Sequence, residues 1–187
     1  CNAFNMLDGK DGLTGSVSVV IIGSLLLLLF FNGIIYNWGL ILVLSLAVFL
    51  AFNLNFFGQD RKIFLGEHGS SSLGHLIAWN LVYLSQETDF ITPVTALWFT
   101  FFPLTDSLLT IISRIRFAQS IVKADRRHLH HLLEDRGFSD QSILVFIVSI
   151  SILGAAGAVT ANILSTPDYY LFYGYLAILV CLLILRR

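Results

Sequence analysis

"NAFNMLDGKDGLTGSVSVVIIGSLLLLLFFNGIIY", residues 2–36, changes character near Ser16. Before that point it carries two amides, two carboxylates, a lysine and three glycines; from Val17 onward it carries no charge. An uncharged apolar run of about 20 residues is what a helix needs to cross a hydrocarbon core of roughly 30 Å. The same alternation continues along the chain. Apolar runs lie at about 16–36, 39–57, 69–85, 91–113, 141–165 and 169–185, with polar connectors between them. The third, "GSSSLGHLIAWNLVYLS", is the least apolar. Period-two alternation is absent, which argues against a transmembrane barrel. The expected fold is all-α: a polytopic transmembrane helical bundle with about six spans.

Composition points the same way. Of 187 residues, 56% are hydrophobic and 12% charged, and the mean hydropathy is +0.81. A soluble globular domain is far from that balance. Cys1 and Cys181 offer no disulfide framework. The net charge of -1 conceals a strong asymmetry. All eleven Lys and Arg residues fall in 1–15, 58–68, 114–140 and the terminal Arg186-Arg187. The alternate connections, near Asn37, 86–90 and 165–168, carry Glu87, Asp89 and Asp168 instead. By the positive-inside rule, the loops 1–15, 58–68 and 114–140 are expected to be cytoplasmic. The chain lacks an initiator Met and a signal-like start, and it opens inside a motif. It is therefore expected to be the C-terminal portion of a longer protein.

Each basic connector holds a cluster of reactive groups. Asn2, Asn5, Asp8 and Asp11 follow at three-residue spacing, which on a helix or tight turn keeps side chains roughly on one side. Gly9, Gly12 and Gly15 form a neighbouring row open to close approach. One reading is a polar loop that N-caps the span starting near Ser16; the other is a site for a hard cation or a polar ligand. In the second connector, Glu67 sits between Gly66 and Gly69. It would serve equally as an acid in the first turn of a helix that Ser70 caps. The third connector, "RIRFAQSIVKADRRHLHHLLEDRGFSD", groups His128, His130 and His131 behind Arg126 and Arg127. Leu129, Leu132 and Leu133 have helical spacing, which predicts a short interfacial helix. Imidazoles beside guanidinium groups suit a phosphorylated ligand better than zinc, which would favour cysteine in the set. Asp106, inside the fourth run, is read as an interfacial anchor paired with Arg114 and Arg116. Gathering every cluster on one membrane face suits chemistry between a water-soluble anion and a lipid.

Four stretches resemble motifs of one family. "NAFNMLDGKDGL" is similar to the N-x-x-N-x-x-D-G-x-D-G-L motif of the polyprenyl-phosphate N-acetylhexosamine-1-phosphate transferases, the glycosyltransferase 4 type. "KIFLGEHGSSSLG" resembles their K-x-F-x-G-D-x-G-S-x-x-x-G loop. "ITPVTALW" with "PLTD", then "DRRHLHHLLEDRGF", is similar to the branch that moves N-acetylglucosamine-1-phosphate onto undecaprenyl phosphate. The resemblance covers nearly the whole chain, in family order. It implies a protein of about eleven spans in a bacterial inner membrane, multi-pass, with a cytoplasmic active face.

The implied reaction transfers the sugar-1-phosphate from a UDP-sugar to undecaprenyl phosphate and releases UMP. It would be the first membrane step of a cell-envelope glycan such as lipopolysaccharide or O-antigen, with Mg²⁺ (or Mn²⁺) as cofactor. The implied partners are the UDP-sugar, undecaprenyl phosphate and the bilayer, with no nucleic acid; a homodimer is left open. Carried over by position, Asp8, Asp11 and His128 are catalytic. Asn2, Asn5, Arg114, Arg127, His130 and His131 bind substrate, and Glu67, Asp8 and Asp11 bind metal. Two departures stand out. No Asp-Asp pair occurs, so the 187 residues alone are expected to be inactive, and Glu67 stands where the family has Asp. The alternatives are a phospho-N-acetylmuramoyl-pentapeptide transferase, a non-catalytic paralogue or a transporter.

Overall fold

The computed structural model describes residues 1–88, 90–116 and 127–185. Of the positions weighed above, Asp89, Arg126, Arg186 and Arg187 lie outside them. Among the described residues the chain is helical and has no strands. The order is α1 (Asn2–Leu7), α2 (Leu13–Phe31), α3 (Asn37–Asn53), a 3-10 turn (Gln59–Arg61), α4 (Gly66–Gln86), α5 (Pro93–Phe99), α6 (Phe101–Arg116), α7 (Leu129–Asp135), α8 (Asp140–Ile163) and α9 (Asp168–Leu185).

Every apolar run of the sequence is helical here, but not every one is a straight span. α2, α8 and α9 are long and apolar enough to cross a membrane; α3, at 17 residues, is shorter. At 1.5 Å per residue, the 19 residues of α2 reach about 28 Å. The fourth run, read above as one span over 91–113, is broken. α5 and α6 meet at 87° across Thr100. Pro103 supplies the reason. It cannot donate a hydrogen bond to the Phe99 carbonyl, and its ring would press on that group. Stopping α5 at Phe99 puts the proline in the first turn of α6, where no intrahelical donor is required. α5 itself starts cleanly: Thr92 accepts from the Thr95 amide at 3.1 Å, and Pro93 follows as its first residue.

α2 lies between α3 and α8, α5 packs on α8, α4 and α9, and the short α1 sits against α4 and α6. The core is continuous through Leu13, Val17, Ile21, Ile77, Phe99, Ile143, Ile147 and Ala158. In α3 and α9 the apolar surface faces outward instead. Ile41, Leu44, Val48, Tyr173 and Val180 are all exposed, as expected of helices that meet lipid tails.

The bend is held by aromatic packing. Trp98 stacks on Phe101 at 5.6 Å, and both meet the Tyr175 ring edge-on at 6.2 and 5.7 Å. Trp98 Nε1 donates to the Leu171 carbonyl at 3.1 Å, and Thr105 and Tyr175 share a hydroxyl hydrogen bond at 3.0 Å. α8 approaches through small residues. A β-carbon on Gly154 would stand 2.6 Å from Phe101 Cβ and 3.0 Å from the Trp98 carbonyl oxygen. Gly154→Val is therefore expected to cost about 1–3 kcal/mol by overpacking. Gly23→Ala is the control, because a β-carbon there meets nothing within 4 Å. Thermal unfolding of the full-length protein in detergent should show a lower midpoint for Gly154→Val only. An unchanged midpoint would mean that the bend does not rest on this contact.

Candidate active site at the polar end of the bundle

The motif-bearing connectors meet at one end of the helices. α1 ends at Leu7, so the step of three is helical only through Asn5; Asp8 caps the helix and Asp11 lies in the turn that follows. α2 begins at Leu13 behind Gly12, whose φ is +72° and which gives no side-chain cap. No side chain of the loop therefore caps the span. The loop's backbone is held from elsewhere: Gly12 N–H donates to Asn53 Oδ1 at 2.5 Å, and Asn53 Nδ2 donates to the Ile63 carbonyl at 2.8 Å. One buried amide at the end of α3 thus fixes both the first connector and the second.

The four polar residues of the row diverge to different surroundings. Asn5 accepts from the buried Ser70 hydroxyl of α4 at 3.1 Å, while Asn2 is exposed. Ser70 also reaches the Gly66 carbonyl at 3.0 Å, so it ties α4 to α1 rather than capping α4. Asp11 pairs with Lys62 at 2.6 Å. Asp8 is half-buried, and burial raises its carboxyl above the usual range. The neighbouring Thr14 hydroxyl pulls the other way, though it falls short of full hydrogen-bond geometry. Glu67 stands exposed in the first turn of α4.

The histidine connector folds over the acidic turn. Leu129, Leu132 and Leu133 do lie on or beside a short helix, α7, with Leu133 buried. Lys10 Nζ bridges Glu134 at 2.5 Å and Asp140 at 2.6 Å, joining the first connector to α7 and to the start of α8. His131 lies 3.3 Å from Glu134, and Arg127 donates to the Ser113 hydroxyl at 3.3 Å. Arg114 is buried in the last turn of α6, where a cation complements the helix dipole. His128 and His130 stack with ring centres 5.9 Å apart. A β-carbon on Gly9 would lie 2.9 Å from His130 Nε2, so the glycine lets the imidazole rest directly on the acidic turn.

Asp106, expected from sequence to be an anchor paired with Arg114 and Arg116, has partners in the histidine connector. Its carboxylate lies 2.8 Å from His128 Nδ1 and accepts from the Leu129 amide at 3.0 Å, so it faces the histidine connector. Asn53 was not singled out at all. The sequence signal for Asn53 was only a polar residue near the end of an apolar run, and for Asp106 that together with its place in "PLTD". Among the described residues, no three His, Cys, Asp or Glu side chains gather into a group able to hold a metal on their own.

Residues 1–85, which carry the first two motifs, match the family model described as glycosyl transferase family 4. The chain is similar to undecaprenyl-phosphate alpha-N-acetylglucosaminyl 1-phosphate transferases from several bacteria. That of Escherichia coli (strain K12) is 33% identical, with 93% of this chain and 51% of that protein covered. That of Salmonella typhi is 34% identical over 86% of this chain and 45% of that protein. For Haemophilus influenzae (strain ATCC 51907 / DSM 11121 / KW20 / Rd) the values are 32%, 74% and 40%. The chain spans about half the length of the curated relatives it matches. Within the chain, the first motif touches both the second connector and the histidine connector although they are far apart in sequence.

His130 gives the site a pH signature. Its side chain is 1% exposed and neither ring nitrogen has a hydrogen-bond partner. Burial, then the charge of His131, lowers its pKa from 6.5 to about 4; Asp106 opposes the shift, and His128 and Lys10 add to it. Between those values the unfolded chain binds more protons than the folded one. The neutral ring's contribution is therefore complete above pH 6.5 and is lost as the pH falls toward about 4. His130→Gln should flatten this part of the stability curve. Unfolding midpoints measured in detergent at steps between those pH values check it, and parallel curves for the two proteins would contradict it.

Proposed function

We propose that the chain is part of a multi-pass inner-membrane enzyme that transfers N-acetylglucosamine-1-phosphate from a UDP-sugar to undecaprenyl phosphate. UMP is released, and the product begins a cell-envelope glycan. The single observation that carries this reading is the meeting of three motif-bearing connectors at one end of an apolar bundle. Lys62–Asp11 and Lys10–Glu134 join them. A lipid phosphate and a soluble nucleotide reach a common point only at such an edge. The names of the relatives support the acceptor and the transferred group, and the charge sorting supports a cytoplasmic active face.

Hard oxygen donors suit Mg²⁺ here. Mg²⁺ commonly takes one or two carboxylates and completes its shell with substrate phosphates and water, so a three-residue protein cage is not required. Asp8 fits this role because a nearby cation offsets the cost of keeping a half-buried carboxylate ionised. Asp11 and the exposed Glu67 are the further candidates. When bound, the ion neutralises charge on the diphosphate. The chain's own residues position the reactants. Gly9 leaves room at the acidic turn, Asp8 and Asp11 line the nucleotide side, and His128, His131 and Arg127 face the phosphates from the third connector. Phosphoryl transfer asks little more of a protein than such placement and charge stabilisation.

Asp8→Asn and Asp11→Asn in the full-length protein should each lower UMP release by on the order of 100-fold or more, while membrane insertion is kept. Membranes supplied with UDP-N-acetylglucosamine and undecaprenyl phosphate provide the assay. Full turnover in both variants would remove these carboxylates from the mechanism. Glu67→Gln should raise the Mg²⁺ concentration needed for half-maximal rate by roughly 10- to 100-fold. An unshifted Mg²⁺ dependence would take Glu67 out of the metal site.

A further inference from the structure

The carboxylate of Asp106 has a feature that the transfer reaction as proposed does not use. It is buried on α6, 4% exposed, and its two oxygens serve two different parts of the histidine connector. Oδ1 accepts from the Leu129 backbone amide at 3.0 Å, and Oδ2 lies 2.8 Å from His128 Nδ1. His128 is the N-cap of α7 but makes no side-chain capping bond, so Asp106 supplies from outside the acceptor that α7 lacks at its first residue. His128 is itself only 5% exposed, and the Thr110 hydroxyl lies 3.4 Å from the same ring nitrogen.

We infer that Asp106 is a positioning residue that fixes the tautomer and the orientation of His128. The chemistry is one of donors and acceptors. An amide hydrogen bond favours the ionised, accepting form of a carboxylate. The nitrogen facing it must then carry the hydrogen, so Nδ1 is the N–H and Nε2 keeps the ring's lone pair. Because Asp106 also anchors the next backbone amide, the ring cannot rotate away without breaking the start of α7. His130 stacked on the same ring closes the remaining direction. The imidazole is thereby offered to a ligand through one defined atom. Carboxylates play the same part behind metal-bound and catalytic histidines, where their loss typically lowers activity by 10- to 100-fold. The inference rests on the proposed role of His128 in the transfer reaction, but its structural content stands apart from that reaction.

Two measurements on the full-length protein in detergent separate the two. The first is nitrogen NMR of protein labelled with ¹⁵N only in histidine, with the His128 signal identified by its absence from His128→Gln. Wild-type His128 should show a protonated Nδ1 and an unprotonated Nε2 at a pH where the ring is neutral; Asp106→Asn should lose this single state. A wild-type ring protonated on Nε2, or mixed tautomers, overturns the inference without any variant at Asp106 being needed. The second is a double-mutant cycle on UMP release. Asp106→Asn should lower kcat by about 10- to 100-fold, with a smaller effect on KM for the UDP-sugar. In the His128→Gln background, the same change should cost less than about threefold, because a residue acting through His128 has nothing left to act on. Equal losses in both backgrounds overturn it. If the wild-type protein released no UMP from any donor, the proposed reaction would fail while the NMR result still decided the tautomer.

Discussion

A charge at the edge of a hydrocarbon phase has to be answered locally, and Lys10 answers two. With 13% of its side chain exposed, it holds Glu134 at 2.5 Å and Asp140 at 2.6 Å, and these acids lift its pKa above the ordinary lysine value. The Asp140 arm is largely solvated and contributes little by itself. Glu134 matters more, because it also faces His131. The position of the whole histidine connector is thus referred back to a residue of the first motif. Lys62 does the same from the second connector by holding Asp11. The three connectors form a chain of contacts, with the first motif as its middle link.

This polar end depends on the apolar part for its geometry. α6 carries Asp106, Ser107, Thr110 and Arg114, and its direction is set at the 87° bend by Pro103 and by the packing of Trp98, Phe101 and Tyr175. α8, which contributes the small face that admits those rings, also begins at Asp140 under Lys10. A straight helix through Thr100 would carry Asp106 along the axis of α5 and away from His128. The break in the fourth apolar run is thus part of the site, although no residue near Thr100 carries reactive chemistry.

Much of this was legible in the sequence, for reasons that also explain what was not. Hydropathy located every long helix, because a window average needs only side-chain identity. Charge sorting placed the three reactive connectors together, and here they touch. The spacing of Leu129, Leu132 and Leu133 correctly marked a short helix beside the histidines. The break at Thr100 escaped because a hydropathy window averages Pro103 with its apolar neighbours and does not register its missing N–H. Asn53 and Asp106 escaped for another reason. A polar residue near the end of an apolar run gives the cost of burial but not the partner that offsets it. For Asn53 that partner is the backbone at Gly12 and Ile63; for Asp106 it is His128 and the Leu129 amide.

The step of three in the first motif has a different meaning in three dimensions from the one its periodicity suggests. A helical face would present Asn2, Asn5, Asp8 and Asp11 to a single ligand. The helix stops at Leu7 instead, and the turn sends each group to a separate environment. Asn5 is committed to Ser70, and Asp11 to Lys62. Asp8 is left half-buried with its pKa raised by desolvation, in a turn whose Gly9 neighbour is pressed against a neutral imidazole. A carboxylate in that position gains more from an incoming positive charge than one already paired with lysine. On the proposed reading, the periodic row therefore divides into residues that build the turn and one that the turn holds ready for a cation. On that reading, this gives Asp8 a larger share of the metal site than Asp11, a difference that their equal standing in the motif conceals.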